Sequence, residues 1–159
     1  MLVNDTAQKS SCFESLSLNQ QAELITFVTG LIQGALTYKN TFTVPDIVGG
    51  KFSHWGDTPL DYIYQYHNRR LFNNSYIKKE MDYLSSFKTF SEEWKVAYEK
   101  YSKQDLEMEK TAQAEAGKDV GRIVKYIMSI DKHRFYKIVD TEQRRYPVNV
   151  YALVKIDSE

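Results

Sequence analysis

Three histidines, one cysteine and several neighbouring carboxylates are the side chains that catalysis or metal binding would draw on here. His54, His67 and His133 fall in different predicted elements and share no metal-ligand spacing, so no metal is expected. Cys12 is the only cysteine, which excludes an intramolecular disulfide and a cysteine-rich zinc site. It lies in a polar N-terminal stretch with no obvious base to activate it. Gly49-Gly50 lacks the Lys-Ser/Thr and the helix that a phosphate-cradling loop needs. No serine sits in a nucleophile-elbow setting. Glu92-Glu93 and the Glu107, Glu109 pair belong to a predicted exposed helix, where a solvated face explains them. Acid–base work would need a pocket and shifted pKa values. The expectation is that the chain is not an enzyme and uses no cofactor.

What remains is a set of cations and polar groups, and the stretch from 117 to 156 is the one built to position them. Val120, Ile123, Val124, Ile127 and Met128 recur at i, i+3, i+4, i+7 and i+8, which is one face of a helix. Lys118, Arg122, Lys125, Tyr126 and Ser129 fall on its other faces. Gly117 reads as a breaker ahead of this helix, and Asp119 near its start suits the positive end of the dipole. Gly121 costs about 1 kcal/mol relative to Ala in an exposed helix, which suggests that it admits a close neighbour. Next, Val148, Val150, Ala152, Val154 and Ile156 alternate with Asn149, Tyr151, Leu153 and Lys155, the clearest strand signal in the chain. Phe135 to Val139 is the expected partner strand, and Thr141 to Pro147 the connection, with Arg144 and Arg145 at its tip. Pro147 cannot donate to a ladder, so it fits the beginning of the second strand.

Helix, short link, strand, basic loop, strand resembles the C-terminal end of a winged helix-turn-helix domain. On that resemblance Lys118 to Ile130 matches the recognition helix, and the loop with Gln143, Arg144 and Arg145 matches the wing. A recognition helix sets polar side chains against base edges, while wing cations meet phosphate or the minor groove. The resemblance therefore implies that Arg122, Lys125, Tyr126, Ser129, Arg144 and Arg145 contact duplex DNA. Lys118 and Lys132 would add phosphate attraction. A helix packed on a hairpin with an ordinary solvated face is the plainer alternative, and the same fold also serves protein contacts.

Formal net charge is zero, from 21 basic and 21 acidic side chains, which counts against broad non-specific nucleic-acid binding. The distribution is uneven: residues 118 to 159 hold nine basic and six acidic side chains. Aromatics reach 14%, mostly through twelve tyrosines, which suits interfaces as well as a core with wet margins. The rival reading is thus a protein-binding adaptor or inhibitor that uses tyrosine-rich helical surfaces and has no nucleic-acid role. No apolar run approaches the length of a membrane span, and no charged start followed by an apolar run marks a secretory signal. A cytoplasmic protein with no membrane partner is expected.

Taken in order, residues 1–16 read as a loose tail, 17–90 as a helical region, and 91–159 as a long helix plus the winged-helix-like module. The last two are expected to form one compact unit. Ser17 and Gln20 make a capping box for a helix to about Thr37, with Leu24, Phe27, Val28, Leu31, Ile32 and Ala35 as its stripe. Gly30 and Gly34 form a notch suited to a neighbouring helix. Thr41 to Val44 is β-prone, and Pro45 fits the first turn of a short helix. The order of helix, extended piece, short helix, turn and longer helix suggests a helix-turn-helix. Asp57 or Thr58 would cap that longer helix, with Pro59 at its first position. Asp57 and Asp61 would repel phosphates there, so it makes a poor recognition helix. Tyr76 to Phe87 is expected to be helical. A polar helix from about Glu92 to Ala116 offers a seam for a homodimer, although its heptad fit is poor. The fold class expected is α+β, mostly helical, with a C-terminal helix plus β-hairpin.

Overall fold

The computed structural model describes residues 10–49, 55–73 and 82–154. The helices are α1 (Ser11–Ser15), α2 (Leu18–Tyr38), α3 (Val44–Val48), α4 (Asp61–Asn73) and α5 (Glu92–Ile130). The strands are β1 (Thr41–Phe42), β2 (Tyr136–Gln143) and β3 (Pro147–Leu153), and they form one antiparallel sheet in the order β1-β3-β2. The architecture is α+β and mostly helical, with a hairpin at the C-terminal end. None of the helices among the described residues is long and apolar enough to cross a membrane.

Contacts divide the chain into two units that do not follow sequence order. Residues 1–63 and 118–159 make unit 1, and residues 64–117 make unit 2.

In unit 1, residues 10–16 are ordered by local chemistry. The Ser10 hydroxyl accepts from the Phe13 amide at 3.0 Å and caps α1, and both Cys12 and Phe13 are buried. Positions 1–9 of the expected tail lie outside the described residues. The capping box of α2 is present, with the Ser17 hydroxyl and the Gln20 side chain each accepting from the other's amide at 3.1 Å. The Gln21 side chain donates to the carbonyls of Phe13 and Leu16, which ties α1 to α2. Leu24, Val28 and Ile32 form the buried stripe of α2. The Gly30–Gly34 notch is not used, because a Cβ built at either position would meet no atom within 4 Å.

The Thr43 hydroxyl caps α3, and Gly49 follows at a positive φ of 77°. Trp55 is buried, and its indole N–H donates to the Val48 carbonyl at 3.0 Å, satisfying an acceptor left open at the end of α3. Asp57 adopts φ 62° within a turn, and the helix begins only at Asp61. The expected N-cap at Asp57 or Thr58 is therefore replaced by a chain of short turns. His54 lies outside the described residues.

The sheet is held by an aromatic cluster. Phe42 stacks on Tyr151 at 5.6 Å and meets Tyr136 edge-on at 6.2 Å. Val148 and Val150 are buried on the other side of β3, as the two-residue period requires. The hairpin is longer and tighter than expected: pairing continues to Gln143↔Pro147, which leaves Arg144, Arg145 and Tyr146 as the loop. The register shifts between Ile138 and Asp140, so Val139 is the extra residue of a bulge.

In unit 2, the Ser91 hydroxyl accepts from the Trp94 amide at 3.1 Å and caps α5. Trp94 stacks on Tyr98 at 4.9 Å and is flanked by Phe90 at 5.1 Å. The expected break at Gly117 is absent, for α5 runs unbroken over 39 residues. One exposed Gly costs about 1 kcal/mol, which the helix-prone Ala112, Ala114 and Ala116 offset. Of the expected helix from Tyr76 to Phe87, positions 76–81 lie outside the described residues, and 82–85 are helical.

Candidate nucleic-acid interface

The C-terminal part of α5 buries two adjacent rows of side chains. Val120, Ile123, Val124, Ile127 and Met128 are all buried, and Asp119 is buried with them. What is left outward is narrow. Lys118, Arg122, Lys125 and Ser129 recur at i, i+4, i+7 and i+11, which is one helical face. Lys118 and Arg122 are exposed, whereas Lys125 and Ser129 are half-buried. The Arg122 guanidinium lies 3.5 Å from the Asp119 carboxylate and is itself mostly exposed. The Ser129 hydroxyl donates to the Tyr126 carbonyl at 2.6 Å. Tyr126 is half-buried, with its ring tilted against Phe13 at 5.3 Å, so it packs the flank of this face as well as bordering it. A Cβ at Gly121 would meet nothing within 4 Å, so the close approach expected there is absent.

The link to the hairpin is set by Asp131. Its carboxylate accepts from the amides of His133 at 2.8 Å and Arg134 at 3.1 Å, turning the chain out of the helix. Lys132 stands exposed in that turn. Turning the Gln33 amide so that its oxygen faces Arg134 lets it accept at 2.8 and 3.1 Å, which ties the link to α2.

At the hairpin tip the two arginines differ. Arg145 is exposed. Arg144 instead makes a bidentate pair with Asp46 of α3, at 3.1 and 3.2 Å, and two more bonds to Glu142, at 3.1 and 2.9 Å. The hydrogen bond from Arg144 holds the Asp46 carboxyl below its ordinary value, and the two carboxylates push the guanidinium further up. Comparison with protein-family models, curated proteins and solved structures finds no match. The site therefore rests on its own geometry. All eight residues singled out in the sequence belong to unit 1, spread over one helix, one turn and one loop. Sequence reasoning missed Asp46, since a pairing of side chains 98 positions apart leaves no local signal. Asp131 did leave one, an Asp just past a helical period and ahead of three basic residues.

Two buried acids complete the electrostatics of this unit. Burial, and then the nearby Asp119 charge, push the Cys12 thiol up to about 12, so it stays protonated and unreactive at neutral pH. Burial likewise pushes the Tyr136 phenol up to about 12, with help from Asp131 and partial opposition from Arg134.

Proposed function

We propose that this is a small DNA-binding regulatory or accessory protein that meets duplex DNA with the outer face of α5 from Lys118 to Ser129. Lys132 and the hairpin tip, through Arg145, extend that surface. One observation carries the reading. Asp119 is the only carboxylate between Lys118 and Ile130, and it is buried, so the outer face carries cations with no exposed acid to repel phosphate. The Arg122 guanidinium meets the buried Asp119 carboxylate at 3.5 Å but is itself 69% exposed, so phosphate can still reach it. Supporting it, β1 joins the hairpin along β3 immediately before α3, which ties a helix–strand–helix order to the helix and hairpin that follow.

Zero net charge means that affinity rests on this local face. Each phosphate neutralised on B-DNA contributes about −0.9 to the slope of log K against log salt, so three or four contacts give about −3 to −4. The test is anisotropy of labelled mixed-sequence duplex at low and near-physiological salt. Micromolar or tighter binding with such a slope is expected. Lys118→Ala with Lys125→Ala should shrink the slope by about 2. If Arg145→Ala leaves both affinity and slope unchanged, the tip is no part of the surface.

A second reading has its own observation. Unit 2 exposes Tyr83, Phe90 and Tyr98, rings that suit a protein-binding adaptor or inhibitor. Absence of any DNA binding at low salt would favour it.

A further inference from the structure

The N-terminal half of α5 carries a face that neither the aromatic rings of unit 2 nor the proposed DNA contacts use. Trp94, Tyr98 and Tyr101 lie at i, i+4 and i+7 on one side of the helix. On the opposite side, Glu92, Val96, Glu99, Lys103, Leu106 and Lys110 follow one another at spacings of four and three, and every one is exposed. Val96 is 70% exposed and Leu106 is 52% exposed, large apolar side chains on a charged face.

The order of these residues is self-complementary. They are arranged symmetrically about position 101: Glu92 answers to Lys110, Val96 to Leu106, and Glu99 to Lys103. Laid against an antiparallel copy of itself, the face sets each acid beside a base and each apolar side chain beside an apolar one. A two-fold axis makes every layer occur twice, as in an isologous interface. A parallel copy would instead set Glu92 on Glu92 and Lys103 on Lys103, which repel. Within the chain, Glu99 and Lys103 lie 3.4 Å apart, and Lys95 and Glu92 lie 3.5 Å apart. Such exposed i, i+3 and i, i+4 pairs contribute only a few tenths of a kcal/mol, so they give way readily to pairs across a seam.

We propose that this face of α5 pairs two copies of the chain as an antiparallel homodimer centred at the level of Tyr101. The seam from Glu92 to Lys110 is about 27 Å long. With one kind of apolar layer, occurring twice, the dimer is weak and reversible.

The test uses chains carrying one added cysteine and a short bismaleimide linker, with Cys12 buried away from it. Mixing Val96→Cys chains with Leu106→Cys chains should give a linked dimer, whereas neither variant should link to itself. Sedimentation across a dilution series should show the mass rising from 18.6 kDa toward twice that value. Glu99→Lys should abolish the rise, and adding Lys103→Glu to it should restore the rise. Self-linking by either single variant as strong as the mixed linkage would overturn the antiparallel register. So would failure of the double swap to restore association, and a mass that stays at the monomer value would overturn the dimer itself. None of these readouts involves DNA.

Discussion

Arg144 has the charge a hairpin tip would offer to phosphate, yet its three nitrogens are directed at Asp46 and Glu142 of its own chain. A guanidinium bound bidentately on one side and twice on another has little donor capacity left for a ligand. Its role is to hold the tip against α3, leaving Arg145 as the outward cation. Arg144→Gln should let the Asp46 carboxyl titrate back up toward its ordinary value, read by an NMR titration of its side-chain carbon. A carboxyl lowered in the folded state contributes stability above its unfolded pKa and loses that contribution as pH falls through the folded value. Both side chains are substantially exposed, so solvent screens the effect and the loss at acid pH is small. The salt slope of DNA binding should not change in this variant. A drop of about 1 in the slope would mean that Arg144 neutralises a phosphate after all.

At the scale of elements, the features written in neighbouring residues were legible. The capping box of α2, the proline in the first turn of α3 and the alternation of β3 each rest on contacts a few positions apart. What misled was glycine. Gly117 does not stop α5, and Gly30, Gly34 and Gly121 admit no close neighbour, because a residue type signals what the backbone can do rather than what its surroundings ask of it. Glycines in a helix with open space at Cβ are simply weak points. Gly30→Ala and Gly34→Ala should each stabilise the fold by about 0.5–1 kcal/mol, read as a higher urea midpoint with an unchanged m-value. Destabilisation by either would mean that the notch is occupied. The candidate interface was legible as a list of residues but not as a surface: periodicity separated Lys118 and Arg122 from the apolar face, while only the tertiary structure buries Asp119 and pairs Arg144 with Asp46.

For the molecule as a whole, net charge is zero at pH 7, from 21 basic and 21 acidic side chains, and two buried acids add a separate source of pH dependence at the alkaline end. Tyr136 and Cys12 are almost wholly buried, and burial is the leading cause that raises both to about 12, from ordinary values of 10.0 and 9.0. An acid whose folded pKa is raised keeps its proton in the native state after the unfolded chain has released its own. Between the two values the unfolded state binds fewer protons, so stability falls as pH rises. The loss should begin near pH 9 with Cys12 and deepen through pH 10 to 12 with Tyr136. For Tyr136 alone, a shift of this size corresponds to about 2–3 kcal/mol once pH passes the folded value. Urea unfolding at pH 8 and pH 11 checks this. Wild type should lose stability between the two, and Tyr136→Phe should lose less, because it removes the proton while keeping the ring that meets Phe42. Cys12→Ala should remove the earlier part of the decline. Equal losses in wild type and both variants would mean that the alkaline limit is set by repulsion among surface charges, not by these two buried groups.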